Sequence, residues 1–270
     1  MSAPLTDLHT HILAGLDDGA EDLAESLAMA AAAAADGIRR LAATPHSLRC
    51  PPGTDAPALE ARAADLERHL QAAGLPLTVV AGAETGLIPA LPRQIDAGAV
   101  VTLNRSRYLL LELPYVGLPA RLDDLIVQVS SRGLVPILAH PERNAELARR
   151  PQLLHTLVGL GLVVQITSGS LEGIFGRAVE RAARRLLEAG LVHVIASDAH
   201  DPYARPPRLS QARALATRIV GPERAQALVA ANPAAILDDR PLEVEPPPPL
   251  PRRLWFWPVR SKGDGEPDRV

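Results

Sequence analysis

Residues 177–200 read RAVERAARRLLEAGLVHVIASDAH, and the order of their parts decides the fold. Arg177 to Ala189 reads as a helix. Gly190 stands where a helix ends in a left-handed residue, a conformation that glycine adopts without strain. Leu191 to Ala196 is a short apolar run rich in β-branched residues, the pattern of a strand buried on both faces. The chain then turns polar at once, in Ser197-Asp198-Ala199-His200. Upstream the same order recurs. Glu21–Asp36 leads through Gly37 into Ile38–Ala43, Pro57–Ala73 through Gly74 into Leu77–Ala81, and Arg121–Arg132 through Gly133 into Leu134–Ala139. With Leu5–Leu8, Tyr108–Leu113 and Leu162–Thr167, seven strands are predicted. Alternating strand and helix units imply an α/β fold, a parallel sheet with helices outside. That many units in a domain of residues 1–240 predict a closed, irregular TIM-type barrel. An open doubly wound sheet is the alternative, less supported because no glycine-rich phosphate loop opens the first helix.

Composition narrows the class. The chain has 270 residues, 47% hydrophobic and 22% charged, as expected of a soluble globular protein. A net charge of −3 argues against a general nucleic-acid binder, which needs a basic face. No apolar run is long enough for a membrane span and the N-terminus shows no signal peptide, so a cytoplasmic protein is expected. A single cysteine excludes an internal disulfide and a cysteine-based structural zinc site. With aromatics at only 3%, the core must be built from Leu, Val, Ile and Ala.

Barrel enzymes carry their chemistry at the C-terminal ends of the strands. Here the first strand runs into His9-Thr10-His11 and then Asp17-Asp18-Gly19, the second into Thr44-Pro45-His46, and the third into Gly82-Ala83-Glu84. The fourth ends on Glu112, the fifth runs into His140-Pro141-Glu142-Arg143, the sixth into Thr167-Ser168, and the seventh into Ser197-Asp198-Ala199-His200. One histidine or carboxylate after a strand is ordinarily a loop residue, a helix cap or a solvated charge. Six strands delivering such groups to one rim are a different matter. Of eight histidines, five (His9, His11, His46, His140 and His200) fall there, while His69 and His155 sit in helical stretches and His193 within a strand. Imidazoles and carboxylates without thiolates suit Mn, Fe, Zn or Co, and the ligand number suits two or three ions. Adjacent divalent ions lower the pKa of bound water and clamp the attacking and leaving oxygens of a phosphoryl group, so phosphate-ester hydrolysis is the expected chemistry. Arg143 and Arg205 are placed to grip phosphate oxygens, against the plainer reading of surface arginines.

The motifs Asp7-Leu8-His9-Thr10-His11, Asp17-Asp18-Gly19, Ala43-Thr44-Pro45-His46, Gly82-Ala83-Glu84, His140-Pro141-Glu142-Arg143-Asn144 and Ser197-Asp198-Ala199-His200 resemble the PHP (polymerase and histidinol phosphatase) superfamily. Within it the chain resembles the bacterial manganese-dependent protein tyrosine phosphatases of capsule and exopolysaccharide clusters, the CpsB/CapC/YwqE-like family. The stretch Gln165–Gly176 is particularly close to that group, and the resemblance covers roughly residues 5–238. It implies a distorted (β/α)7 TIM-like barrel and three Mn²⁺ ions. It also implies a ligand set of His9, His11, Glu84 and Asp198 for one ion, Glu84, Glu112 and His140 for a second, and Asp18, His46 and His200 for a third. Asp17 is the alternative to Asp18, which is favoured because it precedes Gly19. Arg143 and Arg205 match the family's substrate-binding arginines. The implied substrate is phosphotyrosine in the tyrosine-rich tail of a bacterial tyrosine autokinase controlling polysaccharide assembly. Histidinol phosphate or another small phosphomonoester is the alternative on the same metal centre.

Two further features are read from the residues. Cysteine-based phosphatases place an arginine six residues after the nucleophile, whereas Cys50 is followed there by Ala56 and reads as a loop thiol. From Pro241 to Val270 the chain carries four consecutive prolines, Arg252-Arg253 and Trp255-Phe256-Trp257, and reads as an extended, disordered tail outside the domain. Its basic-aromatic segment suits weak contact with an anionic membrane surface or a partner. The Ala/Leu-rich helix Glu21–Asp36 suits packing within one subunit or between copies in a homo-oligomer.

Overall fold

The computed structural model describes residues 3–114, 117–242 and 249. Eight parallel strands are hydrogen-bonded as a three-stranded sheet, β1 (Leu5–Thr10), β2 (Ile38–Ala43) and β3 (Thr78–Ala81), and a five-stranded one. The second sheet runs β4 (Glu84–Gly86), β5 (Tyr108–Glu112), β6 (Val135–Ala139), β7 (Val163–Thr167) and β8 (Val194–Ala196). Backbone bonds join the two at both seams. His11 donates to the Ala199 carbonyl (2.8 Å) and Asp198 to that of His9 (2.9 Å), tying β1 to the end of β8. At the other seam Glu84 donates to the Pro45 carbonyl (3.1 Å). The result is a distorted parallel barrel.

The seven predicted strands all form, and an eighth that was not predicted, β4, follows the third. β3 leaves its ladder at Gly82-Ala83 and resumes as β4, paired now with β5. Gly82 is needed at this kink, because a Cβ there would stand 2.7 Å from Leu103 Cδ2 and 3.2 Å from Thr44 Cγ2. The last strand is shorter than the apolar run Leu191–Ala196. There the His193 ring Nδ1 accepts the Val164 N–H (3.0 Å), so regular pairing starts only at Val194.

The helices follow from their caps. Asp22 accepts the Glu25 N–H and starts α1 (Leu23–Asp36), and Gly37 ends it at φ +93°. Asp55 caps α2 (Ala56–Ala72), followed by Gly74 at φ +66°. α3 (Leu91–Asp96), α4 (Leu122–Ser130) and α5 (Pro151–Gly159) precede the short α6 (Ser168–Glu172) and α7 (Arg177–Glu188). The four predicted terminating glycines, Gly37, Gly74, Gly133 and Gly190, all have positive φ. Helical turns between Ser210 and Leu237 close the described domain.

Alternation along the strands separates core from chemistry. Tyr108 and Leu110, Ile137 and Ala139, Val163, and Val194 and Ala196 form one buried cluster with Leu8, Ala42, Ile236 and Leu237. Two residues further along the same face stand Glu112 on β5, Gln165 and Thr167 on β7, and Asp198 past β8. The barrel interior is thus apolar at its base and polar at its rim. The opposite face of the strands packs on the helices through Leu41, Leu109, Leu111, Leu138, Val164 and Ile195. At the base, the Tyr108 hydroxyl donates to the Arg240 carbonyl (2.8 Å) and accepts the Leu242 N–H (2.9 Å). The proline run and the Trp255–Trp257 triplet lie outside the described residues, apart from Pro249. No described helix is long and apolar enough to cross a membrane.

Candidate metal centre

The rim groups read from the sequence converge. His9, His11, Glu84 and Asp198 come from β1, β4 and the end of β8, and all four are at most 2% exposed. His9 Nε2 lies 3.2 Å from His11 Nε2, 3.3 Å from Glu84 Oε2 and 3.4 Å from Asp198 Oδ1. His11 Nε2 lies 3.4 Å from Asp198 Oδ1 and 3.7 Å from Glu84 Oε2. Four donors bound to one ion at about 2.1 Å in a tetrahedron stand about 3.4 Å apart, so these separations are those of a coordination shell.

The protonation pattern argues the same way. His11 Nδ1–H donates to Asp17 Oδ2 (2.6 Å) and His9 Nδ1–H to Gln165 Oε1 (3.0 Å). Both Nε2 lone pairs then point into one space, which calls for a cation between them. Burial alone would lower His9, but the Glu84 and Asp198 charges push it up to about 9. Without a metal, a proton takes the cation's place. Glu84 Oε2 accepts no hydrogen bond despite a third imidazole nitrogen, His46 Nδ1, at 2.9 Å. Glu112 Oε1 and His46 Nε2 are likewise buried without partners. Orphaned buried atoms of this kind are expensive unless something binds them. The donor set therefore fits borderline-to-hard divalent ions.

Glu84 is the hub. Its Oε1 accepts His140 Nε2–H at 2.8 Å while Oε2 faces His9, His11 and His46. Glu112 Oε2 lies 3.1 Å from His46 Nδ1. On the outer side Asp18 Oδ1 lies 3.4 Å from His46 Nε2 and 3.6 Å from His200 Nε2, and Asp18 also pairs with Arg49. Groups with metal-binding spacing are His11, Asp18, His46 and His200, then His9, His11 and Glu84, then His9, His140 and Asp198, and finally His46, Glu84 and Glu112. His46 thus stands between two groups through its two ring nitrogens. His200 donates Nδ1–H to the Asp198 carbonyl (3.0 Å). Burial, with the charges of His11 and Arg205, lowers it to about 3, which keeps it in the neutral, ligating form.

Two of these residues have strained backbones. His140 has φ +34° and Asp198 φ +52°, in the left-handed region that side chains with a Cβ rarely occupy. Strict alternation would send His140 to the outer face of β6. Its left-handed backbone instead turns the ring toward Glu84.

Arg143 and Arg205 meet at the same carboxylate. Asp198 Oδ2 accepts Arg143 Nη1–H (2.6 Å) and Arg205 Nη2–H (2.7 Å), while Oδ1 faces His9 and His11. Asp198 therefore couples the arginine pair to the metal-type cluster; burial alone would raise its pKa, but His9, His11 and His140, with Arg205, hold it well below the usual carboxylate range.

Sequence reasoning missed the groups that orient the rim. Asp17 is turned away from the cluster. It holds His11 and accepts the backbone N–H of His46 (2.8 Å) and of Gly19 (3.1 Å). Gln165 holds His9, and its signal was a lone amide inside the apolar run Leu162–Thr167. Asp7 Oδ1 accepts the Ser197 (3.0 Å) and His9 (3.3 Å) N–H groups, tying β1 to the end of β8, and burial raises its pKa to about 6. Cys50 is half-buried, and burial together with the Asp17 charge pushes its thiol up to about 11, the wrong direction for a nucleophile.

Fold and rim together define a barrel protein of the metal-dependent hydrolase type. The chain belongs to the family described as "Capsular polysaccharide synthesis, CpsB/CapC", which matches residues 5–238. It is 36% identical over 252 residues to the tyrosine-protein phosphatase YwqE of Bacillus subtilis, covering 93% of this chain and 99% of that one. It is 31% identical to the putative tyrosine-protein phosphatase CapC of Staphylococcus aureus, covering 77% and 81%. A crystal structure from work on B. subtilis YwqE and Streptococcus pneumoniae CpsB, described as unique metal-dependent tyrosine phosphatases, superposes with a TM-score of 0.85 at 35% identity. That match covers 92% of this chain and all of the other. The lactonase Lmo2620 of Listeria monocytogenes (TM-score 0.53, 10% identity, 87% and 95% covered) shares the fold alone.

Proposed function

We propose that this chain is a metal-dependent protein tyrosine phosphatase of capsule or exopolysaccharide synthesis, acting on the phosphorylated tyrosines of a tyrosine autokinase. The observation that carries the reading is Asp198, one oxygen in the imidazole cluster and the other shared by two arginines. A phosphoryl group bound by the arginines would lie beside the metal-binding residues. The relatives named as tyrosine-protein phosphatases support the substrate class.

The proposed ligand sets are those the resemblance implies: His9, His11, Glu84 and Asp198 would hold one ion, Glu84, Glu112 and His140 a second, and Asp18, His46 and His200 a third. Manganese is the proposed metal and three the proposed number. When bound, such ions supply Lewis acidity and an activated water at neutral pH. The chain's own residues do the rest. Asp17 and Gln165 hold the His11 and His9 rings with Nε2 forward. Arg143 and Arg205 orient the phosphoryl group and offset charge growing on its equatorial oxygens. The tyrosine phenolate is a good leaving group, so no protein nucleophile is required, in keeping with the raised Cys50 thiol.

The test is release of phosphate from a phosphotyrosine peptide and from histidinol phosphate, each with Mn²⁺ and with chelator, with His9→Ala as control. Manganese-dependent release from the peptide, lost in the variant, is the expected result. Turnover of histidinol phosphate alone would move the protein to small-molecule metabolism.

A further inference from the structure

Arg143 follows β6 and Arg205 follows β8, and β7 lies between those strands in the sheet. The loop after β7 and α6 brings Phe175 against both arginines. The Arg143 Cζ sits over the Phe175 ring at 4.5 Å from its centroid, and the Arg205 Cζ at 5.5 Å. The ring reaches this seat because α6 carries glycine at position 169. A Cβ there would stand 3.3 Å from Phe175 Cε2 and 3.1 Å from Ile174 Cδ1. Ser168, Gly169, Ser197, Arg205 and Phe175 line one slot at this point of the rim.

Two guanidinium groups on one carboxylate oxygen repel each other. An aromatic face attracts each of them without using its hydrogen-bond donors, because stacking engages the plane of the guanidinium and hydrogen bonding its edge. Arg205 Nε is buried and has no acceptor. An in-plane donor is thus left over on an arginine whose orientation is already fixed.

We propose that Phe175 is the positioning residue of the phosphate clamp: its ring, packed against both Arg143 and Arg205, fixes their orientation and keeps their in-plane N–H groups turned to the phosphoryl oxygens. This rests on the reading of the two arginines as phosphate ligands. Phe175 touches the arginines and acts through them, so its contribution belongs to phosphate affinity rather than to the metal cluster.

The test compares Phe175→Leu, which keeps apolar volume without a π face, with Phe175→Tyr, which keeps the face, in the metal-loaded protein. Three readouts are taken: phosphotyrosine-peptide kinetics, inorganic phosphate binding by calorimetry, and the arginine Nε–Hε resonances, recorded with diamagnetic Zn²⁺ in place of Mn²⁺ and assigned with Arg143→Lys and Arg205→Lys. Phe175→Leu is expected to raise KM and the phosphate Kd about tenfold, the loss of one weak stacking pair. It should also move both arginine resonances out of the ring-current field, at unchanged metal content. Phe175→Tyr should restore all three. In an Arg143→Ala background the Leu change should cost less than threefold, since the nearer of its two arginine contacts is gone. Should Phe175→Leu lower the thermal midpoint, the Tyr variant and the resonances still decide. Unchanged phosphate Kd and resonances in Phe175→Leu, with weaker phosphate binding in Arg143→Ala, would overturn the role of the ring and leave the clamp standing. Unchanged phosphate binding in both arginine→Ala variants would overturn the clamp itself, and the role of Phe175 with it.

Discussion

Asp17→Asn is the substitution that separates holding a ligand from being one. The Asp17 carboxylate accepts three N–H groups: His11 Nδ1 at 2.6 Å, the His46 backbone at 2.8 Å and the Gly19 backbone at 3.1 Å. An amide offers one acceptor oxygen. Turned toward His11 and His46, it sets its own NH₂ against the Gly19 N–H, and the charge that polarises His11 is gone. Losing a carboxylate behind a ligating histidine weakens metal binding about 10–100-fold, which is about 1.4–2.7 kcal/mol. A second cost appears without metal. His11 and the backbone donors pull Asp17 from 3.8 to about 2 against the opposing effect of burial, which corresponds to about 2 kcal/mol of folding stability. Because the folded pKa is depressed, that stability is present above pH 3.8 and is lost as pH falls toward about 2. The assay is Mn²⁺ competition against a fluorescent chelator for the wild type, Asp17→Asn and Asp18→Asn, with urea unfolding at pH 7 in EDTA. Asp18, about half exposed and paired with Arg49, should cost metal at one set while leaving the metal-free stability nearly unchanged. Mn²⁺ affinity of Asp17→Asn within twofold of wild type would refute the argument.

Two further outcomes are expected. His193 is buried with its Nδ1 accepting the Val164 N–H, and burial, with the Arg224 charge, lowers its pKa from 6.5 to about 4. Between those values the unfolded chain binds the extra proton, so stability present above pH 6.5 falls as pH drops, by about 3 kcal/mol in all. In EDTA, urea unfolding of wild type and His193→Gln should converge from pH 7 toward pH 4, and parallel profiles would exclude the effect. Gly19→Ala places a Cβ 2.0 Å from the His11 carbonyl oxygen and 2.4 Å from His11 Cβ. The Asp17–Ala20 turn must then move, at about 1–3 kcal/mol, lowering both the thermal midpoint and Mn²⁺ affinity. A variant as stable and as metal-avid as wild type would show the turn to be slack.

The barrel was legible because its punctuation is local. A glycine after each of four helices and an apolar run behind it depend on neighbours in sequence, and Gly37, Gly74, Gly133 and Gly190 all take the predicted left-handed backbone. The extra strand β4 depends instead on the kink at Gly82, which Leu103 and Thr44 crowd from other segments. The shortened last strand depends on a side chain, His193, replacing a backbone acceptor. Neither event has a periodic signature, so both were hidden from a reading of Leu77–Ala81 and Leu191–Ala196 as plain strands.

The rim divides along the same line. Groups that face the cluster sit at the end of a predicted strand or within four residues past it, and His9, His11, His46, Glu84, Glu112, His140, Asp198 and His200 could be picked out by that position alone. The groups that aim them carry no such mark. Asp17 and Asp18 are adjacent and chemically identical, and only the turn forced by Gly19 against His11 sends one carboxylate behind the His11 ring and the other out toward His46 and His200. Phe175 is more hidden still, since its neighbours Arg143 and Arg205 are 30 or more residues away and meet it only because β7 lies between β6 and β8. Residue type at a strand end shows where metal chemistry can occur. The order of strands in the sheet decides which arginines share an aromatic face, and so how the phosphoryl group is held beside that chemistry.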